Sequence, residues 1–138
     1  MVTDAGDDPR SAAREQAISI LYEAETRDVP ASEVLSGLVV RPAALTERLV
    51  LGWEQDRSEI DSLLARLSDN WPLDRMPAID RAILRLGVEE LRSCPATPTA
   101  VILDEAVELA KRFSTEQSGR FVNGVLAAAA RETRPDGQ

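Results

Sequence analysis

The 138-residue chain is predicted to be all-α on three observations. Apolar residues recur three and four apart through most of its length, and prolines stand at the joints of those runs rather than inside them. No stretch alternates polar residues with β-branched and aromatic ones, as a half-buried strand would.

Each element follows from local chemistry. Met1 to Asp8 is small, polar and acidic, and residues 132–138 carry Pro135 and Gly137 as breakers, so both ends are expected to fray. Asp8 as N-cap with Pro9 behind it opens a helix to about Thr26, with Ala13, Ala17, Ile20, Leu21 and Ala24 on one face. Pro30 closes the connection, and Ser32 to Leu38 reads as a short helix that needs tertiary packing. Pro42 starts a long one, on which Leu45, Leu49, Trp53, Ile60, Leu63, Leu64 and Leu67 keep the repeat, with a bend expected near Gly52. Trp71 to Met76 reads as a connecting turn, and Pro77 seeds a helix to Ser93 that turns Ile79, Ile83, Leu86 and Leu91 inward. After Pro95, Thr97 and Pro98 open a helix with Val101, Ile102, Ala106, Leu109 and Phe113 inward and Glu108 four residues before Arg112. Ser114 and Gln117 have capping-box spacing, and the last helix runs to about Arg131.

Composition narrows the function. At 43% hydrophobic and 29% charged residues, the chain reads as a single globular domain over residues 1–138. Its 24 acids against 16 bases give a net charge of -8, so a polyanion would have to be bound through a local basic strip. The absence of histidine removes the commonest general base and metal ligand, and with them Ser-His and Cys-His nucleophile pairs. Cys94 stands alone, so neither an intramolecular disulfide nor a cysteine-rich zinc site is expected. No secretory signal and no membrane-length apolar run is apparent, which makes the cytoplasm the expected compartment.

The remaining candidates for chemistry are weak or positional. Asp80, Glu89, Glu90, Asp104, Glu105 and Glu108 have spacing that selects no acid–base pair or metal site, and they read as solvated helix faces. No phosphate loop, dinucleotide fingerprint or nucleophile elbow is present, so neither cofactor nor metal is expected. A helical wheel of the last helix places Val122, Val125, Leu126 and Ala129 inward and Phe121 at the margin beside Gln117, Arg120 and Gly124. Phe121 there either widens the core or stacks an unpaired base while the arginine meets phosphate. On the first helix Arg14, Ile18 and Tyr22 form a strip one turn on from Arg10, which is either a second nucleic-acid surface or ordinary solvated residues. Gly124 is expected to permit close helix approach and Asn123 to be a structural hydrogen-bonding side chain.

The segments Glu105 to Lys111 (EAVELAK) and Ser118 to Leu126 (SGRFVNGVL) resemble the NusB family of transcription antitermination factors. Asp80 to Arg85, Glu89 to Leu91, Arg14 to Ala17 and Leu21-Tyr22 fall in that family's order, so the similarity covers about residues 10 to 131. The resemblance implies about seven helices in two antiparallel three-helix-like halves and a non-enzymatic role. Such factors bind the boxA segment of nascent ribosomal RNA transcripts with ribosomal protein S10 (NusE), and join other Nus factors on RNA polymerase. For RNA binding it points to Arg10, Arg14, Tyr22, Gln117, Ser118, Arg120 and Phe121, and for S10 to Asp74, Asp80 and Glu89.

One departure stands out. Where many relatives carry a basic N-terminal arm, this chain reads TDAGDD over residues 3–8, leaving Arg10 and Arg14. Weak RNA binding by the isolated protein follows, with more of the affinity supplied by the partner. The resemblance leaves two other readings: the RNA-binding region of ribosomal RNA cytosine methyltransferases, disfavoured by the lack of a glycine-rich S-adenosylmethionine segment, and an interaction or homodimerisation module that has lost RNA binding.

Overall fold

The computed structural model describes residues 8–68 and 71–136. Among them are seven α-helices, one 3-10 turn and no strand. The expectation of a frayed start concerns residues 1–7, which lie outside the described residues, as do the last two.

Helix α1, Pro9–Arg27, begins on its predicted cap, with Asp8 accepting from the Arg10 N–H at 3.0 Å. It ends at Asp28, which adopts a left-handed φ of 58° and lets the Val29 N–H reach the Ala24 carbonyl at 3.0 Å. Helices α2, Ala31–Ser36, and α3, Ala44–Gln55, pack on α1 and on each other. The expected long helix is divided at Asp56, one turn beyond Gly52, and continues as α4, Arg57–Leu67. The bend redirects one apolar stripe: Leu49 and Trp53 face α1 and α5, whereas Ile60 and Leu64 face α5 and α7. Backbone bonding persists across it, from the Asp56 N–H to the Gly52 carbonyl at 2.9 Å and from the Ile60 N–H to the Asp56 carbonyl at 3.0 Å.

A 3-10 turn, Leu73–Arg75, leads into α5, Ala78–Ser93, the axis of the fold, which touches α1, α3, α4, α6 and α7. Helices α6, Thr99–Phe113, and α7, Glu116–Thr133, complete the second half. Helix α5 is antiparallel to α1, as the Arg14–Glu90 and Glu25–Arg81 pairs require, and parallel to α7, where Asp80 meets Ser118 and Gly87 meets Leu126. The buried side chains of both halves form one contiguous cluster.

Several side chains depart from expectation. Asp80, Glu89 and Glu90 are buried on α5, because five helices pack around it and leave it little solvated face. Val101 and Phe113, expected inside, are exposed at the two ends of α6. Arg112 lies 3.5 Å from Glu15 of α1 rather than on Glu108, and Thr115 caps α7 in place of Ser114. The C-terminal end is anchored as far as Arg134: its guanidinium donates to the carbonyls of Leu91, Thr97 and Cys94 at 3.0, 2.7 and 2.8 Å. Those acceptors cluster at the end of α5, so the cation satisfies carbonyls that the helix itself cannot.

Candidate nucleic-acid interface

The start of α7 is held from beneath. The Thr115 hydroxyl accepts from the Ser118 N–H at 3.0 Å, and the Ser118 hydroxyl donates to Asp80 Oδ2 of α5 at 2.7 Å. Ser118 is therefore buried, and what α7 presents outward from its first two turns is Glu116, Gln117, Arg120 and the half-buried Phe121. Phe121 packs on the core from below and meets Trp71 edge-on, with ring centroids 4.9 Å apart and planes at 67°. The Arg120 guanidinium is exposed and has neither hydrogen bond nor ion pair among the described residues.

Helix α1 supplies less than its sequence promised. Arg10 is exposed, and its guanidinium has no partner among the described residues; Tyr22 is 44% exposed. Arg14 is 6% exposed and holds Glu90 through three contacts of 2.7–3.1 Å, with Glu105 at 3.4 Å. The Ser11 hydroxyl donates to the same Glu105 at 2.7 Å. Arg14 is thus a structural cation rather than a surface contact, because the strip Arg14–Ile18–Tyr22 leaves the core only at its last member. Helices α1 and α7 both pack on α5, and α6 joins them through Glu105 and Arg112. The expected RNA residues accordingly do not form one patch: Arg10 lies toward the Glu90 end of α5, and Gln117, Arg120 and Phe121 lie toward its Asp80 end.

The acids expected to meet a protein partner divide in the same way. Asp74 is exposed on the 3-10 turn. Asp80 is fully buried, bonded to Ser118 through one oxygen, while Oδ1 has no partner. Glu89 is 2% exposed and lies where Gly52 leaves room: a Cβ on that glycine would fall 2.7 Å from the Glu89 carboxyl carbon. Burial, with Asp56 nearby, pushes the Glu89 carboxyl up to about 7. Both are positions inside the fold rather than docking residues. Among the described residues no group of three or more His, Cys, Asp or Glu could hold a metal ion, and no helix is long and apolar enough to cross a membrane.

The family model for the NusB family matches residues 11–131, from the first turn of α1 to the end of α7. The chain belongs to the NusB family. It is 48% identical over 128 residues to the transcription antitermination protein NusB of Saccharopolyspora erythraea, covering 88% of this chain and 86% of that one. The Streptomyces griseus protein of the same name is 44% identical over 127 residues, covering 86% and 89%. Among solved structures, T. maritima NusB superposes with a TM-score of 0.83 at 33% identity, covering 99% of this chain and 96% of that one. A structure of the antitermination factors NusB and NusE in complex with dsRNA matches with a TM-score of 0.77 at 28% identity, covering 90% and 97%.

Within this NusB-family chain, sequence reasoning missed Trp71 as part of the α7 surface, because it stands fifty residues away in what reads as a connecting turn. Its signal was faint: a large aromatic directly before Pro72, outside the helical repeat, with no assigned place in the core. Gly124 does not serve the close helix approach expected of it: among the described residues nothing beyond its own stretch of α7 comes within 4 Å of where its Cβ would stand. Asn123 is exposed and has no hydrogen-bond partner among the described residues, against the structural role expected of it.

Proposed function

We propose that this chain is a non-enzymatic transcription antitermination factor. In this reading it binds the boxA segment of nascent ribosomal RNA transcripts as a heterodimer with ribosomal protein S10 (NusE), and joins RNA polymerase with other Nus factors. One observation carries it within a family named for this role: an exposed Arg120, unpaired among the described residues, beside the half-buried Phe121 at the start of α7. A cation for phosphate next to a ring for a base is the arrangement that grips unpaired RNA. Gln117 adjoins this pair on α7, and Arg10 and Tyr22 on α1 would meet the RNA apart from it. Asp74 offers S10, a protein of a usually basic class, an exposed acid.

The charge pattern supports weak RNA binding by the chain alone. With Arg14 committed to Glu90, only Arg10 and Arg120 of the expected set are free for phosphate. Two contacts to a single strand give a salt slope of about -1.4, at roughly 0.7 per contact.

Fluorescence anisotropy of a boxA-like RNA, alone and with S10, at two salt concentrations and beside a scrambled RNA, tests the reading. Sequence-selective binding strengthened by S10, with a shallow slope for the chain alone, is the expected result. S10 binding without RNA binding would make the chain an interaction module instead. Because the solved NusB–NusE complex contains duplex RNA, a duplex of the same sequence belongs in the series. Preference for that duplex over the single strand would overturn the base-stacking role of Phe121.

A further inference from the structure

Gly124 sits in the middle of α7, where glycine costs roughly 1 kcal/mol relative to alanine. The helical glycines Gly87 and Gly119 have an evident reason, because a Cβ would come within 2.8 Å of Leu126 and 3.1 Å of Lys111. Gly52 likewise makes room for Glu89. Among the described residues Gly124 alone of these meets nothing beyond its own stretch of α7 within 4 Å of that point, and it is exposed. Its missing side chain leaves the α7 backbone bare on an exposed face, where a group from outside the chain can approach it closely.

The surroundings identify the visitor. Gly124 lies in a groove of 510 Å³ between the end of α4 and α7, lined also by Leu67, Trp71, Arg120, Phe121 and Val125. The Trp71–Phe121 pair packs edge to face, an arrangement that leaves ring surface on the groove side. The Arg120 guanidinium, unpaired among the described residues, also lines it. A flat, apolar-faced group attached to an anion satisfies all three features, whereas a purely aliphatic side chain would leave the cation unanswered.

We propose that this groove receives one unstacked nucleobase of the bound RNA, held against the Trp71–Phe121 pair over the bare backbone of Gly124, with Arg120 on the adjoining phosphate. The proposal rests on the RNA-binding reading above and adds to it a defined base site with Trp71 and Gly124 as its new members. Base recognition here is by shape and stacking, so purines and pyrimidines are both admitted and the larger purine surface is held more tightly.

The test combines Gly124→Leu, which fills the groove at an exposed helical position, with a boxA-like single-stranded RNA carrying one abasic site at each position in turn. S10 is present throughout, and thermal melting and S10 binding are followed in parallel. In the wild-type protein one abasic position should weaken binding about 5- to 150-fold, the range of a single lost stacking contact. Gly124→Leu should show a similar loss on intact RNA and little further loss at that same position, with S10 binding preserved and the melting temperature not lowered. A folded Gly124→Leu variant that binds intact RNA as the wild type does would overturn the site while leaving the RNA-binding reading in place. Should Gly124→Leu fail to fold, a wild-type abasic scan that is flat at every position overturns it equally. No RNA binding by the wild type with S10 would remove both together.

Discussion

Ser118 and Asp80 are 38 residues apart in sequence, and the serine hydroxyl donates to the aspartate's Oδ2 at 2.7 Å in a site closed to solvent. This bond ties the first turn of α7 to the first turn of α5. Both residues, expected at binding surfaces, instead set where Arg120 and Phe121 stand. Removing the hydroxyl leaves a buried carboxylate with neither oxygen bonded to a side chain, since Oδ1 already has no partner. Ser118→Ala should therefore lower the unfolding free energy by about 1–3 kcal/mol in urea denaturation. Asp80→Asn, which keeps an acceptor for the serine and sheds the charge, should cost less. Equal stability of Ser118→Ala and wild type would show that the bond carries no weight.

Arg14 and Arg10 are one turn apart and should behave oppositely. Arg14→Ala strands Glu90 in the core and should cost about 3–5 kcal/mol. The paired change Arg14→Met with Glu90→Leu removes both charges and should recover most of that loss. Arg10→Ala should stay within about 0.5 kcal/mol of wild type and flatten the salt dependence of RNA binding instead. A destabilised Arg10→Ala beside a stable Arg14→Ala would contradict the assignment.

Glu89 makes stability depend on pH. The core accepts its protonated form, so the folded carboxyl ionises near 7 against an ordinary value of 4.5. Its stabilising contribution is complete below about pH 4.5 and is lost as pH rises through 7. Above that, the carboxylate costs on the order of 2–3 kcal/mol. Glu89→Gln should match wild type near pH 5 and exceed it by roughly that amount at pH 8.5. Parallel stability curves for the two proteins from pH 5 to 8.5 would rule this out.

Two glycines give a further contrast. Gly87→Ala improves helix propensity but drives a methyl to 2.8 Å from Leu126, and should lower stability by about 1–3 kcal/mol. Gly124→Ala meets nothing and should raise it by up to about 1 kcal/mol. Melting temperatures of the two variants should move in opposite directions.

The helices were legible because their signals are local. Asp8 before Pro9 and the prolines ahead of α5 and α6 act over one turn, and the apolar spacing of α3 and α4 survives the bend between them. The site was half legible. Arg120, Phe121 and Gln117 are neighbours on one helix, so a wheel finds their exposed face without any tertiary knowledge. Trp71 was missed because its partner is Phe121, fifty residues later. Arg14, Asp80, Ser118 and Glu89 were misplaced for a common reason: a charged or polar residue reads as exposed until the groups that bury it are known.

The sequence by itself determined that this is an all-α chain and where most of its helices begin, because capping, proline stops and apolar period depend on near neighbours, and its EAVELAK and SGRFVNGVL segments carried the resemblance to the NusB family. Only the tertiary structure decided which cations are free, which acids are buried and what Gly124 faces. Those outcomes depend on α5 being packed against five other helices. Charges buried on or against it must find a partner, lose their charge or stay unsatisfied, and which of these occurs is set by side chains from distant segments.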